Sequence, residues 1–257
     1  MSHVHIIRDF YSPQEGFHRT LRIYTPNGYD QGSAHRYPVL YMHDGQNVFA
    51  HPESAMFTTW CANQVMDHLA GSGQTEPWLI VGIDSGAGRL EEYSPYDEPR
   101  NNVRGRGEPY GRFLVETLKP YIDSVYNTRQ GPEWTGTMGS SLGGLISLYL
   151  GWKYPQVFGR LGALSPSVMW GYYALFRDWT QHSRHWSRIY LDAGDTEWIE
   201  AGGMPMPYGE STRDFYFQLR NMGYGEHEVR LVLEPGGIHH EVDWQRRLPE
   251  AMRWLLS

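Results

Sequence analysis

The sequence predicts an α/β fold with a mostly parallel central sheet and helices on both faces, and three features carry that prediction. From Tyr37 onward, short apolar runs alternate with stretches of helical periodicity, the pattern of strands feeding helices. The central runs are continuously apolar, as in strands covered on both faces. Each run ends in polar and glycine residues, which is where open α/β sheets place their sites. With 257 residues and no linker or shift in composition, the chain reads as one domain, 1–257.

Residues 18–26 alternate Leu21, Ile23 and Thr25 against Arg22 and Tyr24, a half-buried strand near a sheet edge. Residues 37–43 form a central strand that empties into Asp44-Gly45-Gln46-Asn47. Helical spacing follows over 57–69, with Pro52 to Ser54 supplying the start. A second buried strand, 78–84, leads into the polar stretch 85–108, which is too long for a plain connection. Residues 110–126 place Phe113, Leu114, Leu118, Tyr121, Ile122 and Val125 on one helical face, with Pro120 predicted to kink it.

A short strand at 134–138 runs into Gly139-Ser140-Ser141-Leu142-Gly143 and an apolar helix start. Strand, sharp turn and helix around G-x-S-x-G make a nucleophile elbow, in which small residues flank a strained serine so that helix and strand pass closely. Strand 158–165 ends at Ser165-Pro166-Ser167 and is followed by a tryptophan-rich helix over 170–182. Strand 188–193 closes on Gly194-Asp195-Thr196-Glu197, residues 211–222 form a helix, and the last strand, 228–234, runs into Gly236-Gly237-Ile238-His239-His240. Leu248, Met252 and Leu255 mark a C-terminal helix.

Composition excludes several function classes. A formal charge of −7 and a pI near 5.9 leave no basic footprint for nucleic acid. No apolar run approaches membrane-spanning length, and the first residues lack the regions of a signal peptide, so a soluble cytoplasmic protein is expected. The single cysteine, Cys61, has no internal disulfide partner and reads as a small buried hydrophobe. His3-x-His5 and His239-His240 lack any metal-site spacing, so neither a metal nor another cofactor is expected.

The chemistry follows from order. A serine hydroxyl needs an imidazole to take its proton and a carboxylate to hold that imidazole. Ser141, an acidic cluster and His239 arrive on successive strand ends, in the chain order of α/β-hydrolases. His239 is preferred to its neighbour His240, and His43 reads as structural. Asp192 still lies within its strand, while Asp195 and Glu197 stand level as the acid. The developing oxyanion needs two donors, supplied by the backbone N–H groups of Leu142 and of Gln46, with Gly45 its neighbour.

Taken together, Tyr41-Met42-His43-Asp44-Gly45-Gln46-Asn47, Glu92-Tyr93-Ser94-Pro95, the Ser141 elbow, Tyr154-Pro155-Gln156-Val157-Phe158-Gly159, Leu164-Ser165-Pro166-Ser167 and Gly237-Ile238-His239 resemble the Putative esterase family of α/β-hydrolases. That family includes enterochelin, feruloyl and acetylxylan esterases, esterase D and mycolyltransferases. The resemblance implies an α/β-hydrolase fold, Ser141 as nucleophile, His239 as base, Glu197 as acid and the Gln46 and Leu142 amides as oxyanion donors. The expected reaction is hydrolysis of a small ester, short-chain, sugar-linked or siderophore, through an acyl-enzyme. An acyltransferase using a sugar or alcohol acceptor and a non-catalytic binding module are the rival readings. Candidate substrate contacts are Arg89, with Arg100, Arg104 and Arg106 in the same stretch, and the aromatic residues Trp170, Trp198 and Tyr93, for which core roles are equally open.

Overall fold

The strands that the apolar runs predict pair into a single sheet, here described from a computed structural model that covers residues 1–55, 59–181 and 183–257. Its first strands are β1 (His3–Ser12) and β2 (Phe17–Thr25), followed by β3 (Val39–His43). Helix α1 (Ala62–Gly71) leads to β4 (Leu79–Ile83). Three helical pieces come next, α2 (Arg89–Glu92), α3 (Gly107–Arg112) and α4 (Lys119–Val125), and then β5 (Thr135–Ser140) and α5 (Leu142–Lys153). Strand β6 (Arg160–Leu164), helix α6 (Trp170–Thr180) and β7 (Arg188–Gly194) follow. A small hairpin, β8 (Trp198–Ala201) and β9 (Met204–Pro207), precedes α7 (Tyr208–Asn221), β10 (Val229–Glu234) and α8 (Glu241–Leu256).

The large sheet has eight strands in the order β1-β2-β4-β3-β5-β6-β7-β10. The pairings β1 with β2 and β2 with β4 are antiparallel, and every later pairing is parallel. Continuous apolar strands are explained by cover on both faces. On β3, Val39 and Tyr41 pack with α3 to α7, whereas Leu40 and Met42 pack with α1 and α8. This is the α/β-hydrolase architecture, and it carries the ends of β3, β5, β6, β7 and β10 to one edge of the sheet.

Several local expectations are corrected. Strand β1 was not anticipated, because its polar, part-exposed residues carry little alternation at the sheet edge. Pro52 to Ser54, the start expected for the first helix, form a turn, Phe57 falls outside the described residues, and α1 begins only after Cys61, which is half-buried and accepts a hydrogen bond from Gln245. Pro120 does not break the 110–126 helix sharply. The backbone instead winds as a π-helix over Phe113–Leu118, and Pro120 falls in the first turn of α4, where a missing N–H is tolerated. The 170–182 helix opens with a left-handed turn at Gly171, Tyr172 and Tyr173, and its expected last residue, His182, also lies outside the described residues. The hairpin of β8 and β9 was missed as well. Its four-residue strands are too short for a periodic signal, although Gly202 and Gly203, at φ 60° and 73°, supply the two positive φ values that a tight hairpin turn needs.

Candidate active site

The elbow forms because glycine lets two backbones meet. A Cβ on Gly139 would stand 2.8 Å from the carbonyl carbon of Gly143, so no side chain fits between the end of β5 and the start of α5. Ser141 occupies the turn at φ 56° and ψ −123°, a sparsely populated conformation for a residue with a side chain. Two backbone bonds hold it there: its N–H donates to Leu164 O at 3.0 Å, and its carbonyl accepts from Ser167 N–H at 3.0 Å.

Ser141, His239 and Glu197 stand in one hydrogen-bonded line. Ser141 Oγ lies 3.0 Å from His239 Nε2, and His239 Nδ1 lies 2.6 Å from Glu197 Oε1. The carboxylate has no proton to give, so Nδ1 carries the proton and Nε2 is left to accept from the serine. His239 is wedged between the rings of Tyr208, centroids 4.0 Å apart and planes tilted by 34°, and of Trp244, centroids 4.8 Å apart and planes perpendicular. His240 turns the other way and caps α8 by accepting from Val242 N–H.

The three acids separate by direction. Asp195 accepts from Gly236 N–H at 3.0 Å and so braces the loop that bears His239. Glu197, only 4% exposed, has both oxygens engaged: Oε1 faces His239, and Oε2 accepts from Gly194 N–H at 2.6 Å and from Ser165 Oγ at 2.9 Å. Asp192 lies fully buried behind them, 3.3 Å from Arg247 Nε, with its Oδ2 unpartnered among the described residues. Burial pushes the Asp192 carboxyl up to about 7, with Arg247 opposing.

Five residues around this line were not singled out as site residues from the sequence: Ser165, Ser167, Tyr208, Trp244 and Arg247. Ser165 Oγ donates to Glu197 and accepts from Trp244 Nε1 at 3.0 Å and from an Arg247 Nη at 2.8 Å. Ser167 Oγ sits 3.3 Å from Ser141 Oγ and 3.2 Å from the Tyr208 hydroxyl. The available signal was the Ser165-Pro166-Ser167 strand end, which is the third of the converging loops.

On the far side of Ser141, β3 ends in a single turn of 3-10 helix over Gly45–Asn47. Leu142 is the first residue of α5, and Gln46 lies in that single turn, so their N–H groups are among those that a helix start leaves without an internal acceptor. Parallel pairing of β3 with β5 brings the two turns side by side. The Gln46 side chain is tied to Ser85, donating to its Oγ at 2.9 Å and accepting from its N–H at 3.1 Å. Arg89 grips Asp44 with two bonds, at 2.7 and 2.8 Å.

The aromatic candidates divide. Tyr93 is fully buried and its hydroxyl accepts from Asp44 N–H, so it shapes the turn instead of stacking a ligand. Trp170, 5% exposed, donates from Nε1 to Ser94 Oγ within the core. Trp198 is 62% exposed. With Tyr173, Met206, Glu210, Arg213 and Arg100 it lines a cavity of about 880 Å³ that reaches Glu197. Arg100 is paired with Glu98 and lies over the Tyr172 ring, while Arg104 and Arg106 face solvent. His43 is buried between Tyr110 and Thr137, and burial lowers it to about 3, which keeps it neutral. Among the described residues there is no group of three or more His, Cys, Asp and Glu that could hold a metal ion, and no helix long and apolar enough to cross a membrane.

Comparisons with known proteins bear on the fold and the family. The chain is similar to Uncharacterized protein YbbA of Bacillus subtilis (strain 168), 26% identical over 251 residues covering 95% of each chain. It is also similar to the Iron(III) enterobactin esterase of Dickeya dadantii (strain 3937), 26% identical over 260 residues, which cover 98% of this chain and 54% of that protein. Among solved structures, a ferulic acid esterase superposes with a TM-score of 0.78 at 19% identity, covering 100% of this chain and 98% of that one, a likeness of fold. The family model described as Putative esterase matches residues 12–255, so the chain belongs to that esterase family and is by class a carboxylic ester hydrolase.

Proposed function

We propose that the protein is a serine esterase working through an acyl-enzyme. The observation that carries this reading is the line from Ser141 Oγ through His239 to Glu197 Oε1, at 3.0 and 2.6 Å, with the serine in a strained elbow. His239 takes the Ser141 proton as Oγ attacks the ester carbonyl, and the oxyanion rests on the Leu142 and Gln46 amides. His239 then protonates the departing alcohol. Water, deprotonated by the same imidazole, attacks the acyl-enzyme, and Ser141 recovers its proton as the acid leaves. Neither a metal nor another cofactor has a part in these steps.

The substrate is a small ester, short-chain, sugar-linked or of siderophore type. The cavity of about 880 Å³ beside Glu197, with Trp198 and Tyr173 on its walls, supports a ring-bearing group on one side of the ester bond. The names of two relatives, ferulic acid esterase and enterobactin esterase, are in keeping with that choice.

Hydrolysis of p-nitrophenyl acetate by wild type and Ser141→Ala tests the nucleophile. A fall in kcat of about 10³-fold or more is expected, with Ser141→Ala/His239→Ala no worse than the single variant, because such residues act as a unit. Undiminished activity in Ser141→Ala would overturn the assignment. Acetyl, feruloyl and siderophore esters compared on one preparation rank the substrates, and added acceptor alcohols separate hydrolysis from acyl transfer.

A further inference from the structure

Hydrogen-bond donors around the nucleophile can be assigned one after another. With Nδ1–H committed to Glu197, His239 Nε2 accepts the single proton of Ser141. The contact of Ser141 Oγ with Ser167 Oγ, at 3.3 Å, then has its proton from Ser167. That spends the Ser167 proton, so the 3.2 Å contact with Tyr208 is a bond donated by the tyrosine. Tyr208 is 2% exposed, and burial holds its phenol protonated. Ser167, itself 1% exposed, also clamps the Ser141 carbonyl through its own N–H at 3.0 Å.

We propose that Tyr208 and Ser167 form a donor chain that orients the nucleophile, Tyr208 O–H to Ser167 Oγ and Ser167 O–H to Ser141 Oγ, so that the Ser141 proton points only at His239. Ser167 touches the reacting oxygen and is a catalytic residue by that contact, whereas Tyr208, whose hydroxyl faces Ser141 as well as Ser167, holds both in place as a positioning residue. The inference rests on Ser141 being the nucleophile. Its consequence is selective. The chain matters when Ser141 attacks and the C–Oγ bond forms. It matters less in deacylation, because when water attacks the acyl-enzyme Oγ carries the acyl group and has no proton to aim, and the chain acts again only as Oγ leaves. Damage to His239 would slow both steps, since the imidazole is the base in each.

The test compares Tyr208→Phe, which keeps the ring on His239, with Ser167→Ala and Ser167→Thr. One measurement is the rate at which a fluorophosphonate labels Ser141, and the other is the single-turnover hydrolysis of acyl-enzyme formed from p-nitrophenyl acetate. Loss of one neutral hydrogen bond should slow labelling about 3- to 10-fold in Tyr208→Phe and Ser167→Ala, with deacylation slowed less than labelling and Ser167→Thr restoring the rate. Unchanged labelling in both variants, or equal losses in labelling and deacylation, would overturn the chain. Failure of the wild type to be labelled would instead overturn the serine esterase reading itself.

Discussion

Asp192 shows at the scale of one residue how the site is supported. It is fully buried, and its carboxyl is raised from 3.8 to about 7 by burial, against the pull of Arg247. A group whose folded-state value is raised stabilises the fold at low pH and loses that contribution as pH rises. Between pH 4 and 7 the unfolded chain releases the proton first, so stability falls across that window. Asp192→Asn, which cannot ionise, is expected to lack this decline. Wild type should lose about 1–4 kcal/mol relative to the variant between pH 4.5 and 7.5 in urea unfolding. Parallel stability curves would contradict the buried, late-titrating carboxyl. Residue scale is also where the sequence was least legible. Asp192, Asp195 and Glu197 all follow from proximity to one strand end, and the residues alone left two of them level. The family resemblance pointed to Glu197, and the fold turns Glu197 toward His239 while Asp195 takes Gly236 N–H.

At the scale of elements, two pieces of chain meet over the cavity. The tip of the β8–β9 hairpin packs on the 3-10 turn Pro99–Asn101, so that a Cβ on Gly202 would stand 2.6 Å from Asn101 Oδ1 and 2.9 Å from the Arg100 carbonyl oxygen. Nothing lies within 4 Å of the same position on Gly203. Gly202→Ala should therefore lift the hairpin off the turn, whereas Gly203→Asn, a residue that tolerates positive φ, should not. In steady-state kinetics, Gly202→Ala is expected to raise KM about 3- to 10-fold for esters large enough to reach Trp198, with p-nitrophenyl acetate unaffected and Gly203→Asn neutral for both. A shift shared by large and small esters would deny the hairpin a part in binding. Neither element was legible as such: 85–108 read only as a long polar stretch, and the hairpin's strands are shorter than the window in which periodicity shows.

Across the whole molecule, the site is coupled to the core beneath the sheet. Helix α8 carries Trp244 and Arg247 to Ser165, and in the next turns buries Leu248, Met252 and Leu255 with Leu40, Met42, Ile80 and Met138. Leu248→Ala should cost about 2–5 kcal/mol, the range for emptying a tightly packed leucine site. Denaturant unfolding measures that loss, and esterase activity should disappear along the same transition. Activity that outlasts the loss of helix would show that the α8 contacts are dispensable to the site. At this scale the sequence was most legible, because the strand and helix order from Tyr37 onward follows from apolar runs that must be covered on both faces.

By itself, the sequence determined the α/β alternation, the elbow at Ser141 and the order in which serine, acid and histidine reach the strand ends. These are local properties, set by periodicity, by glycine at a turn and by position along the chain. Tertiary structure decided which side chains meet: Glu197 against His239, His240 turned into the cap of α8, Tyr93 and Trp170 withdrawn into the core, and Ser167 with Tyr208 drawn up to Ser141. Each of these is a matter of side-chain direction and of contact between loops far apart in sequence. Only the packing of β5, β6, β7 and β10 side by side settles such contacts.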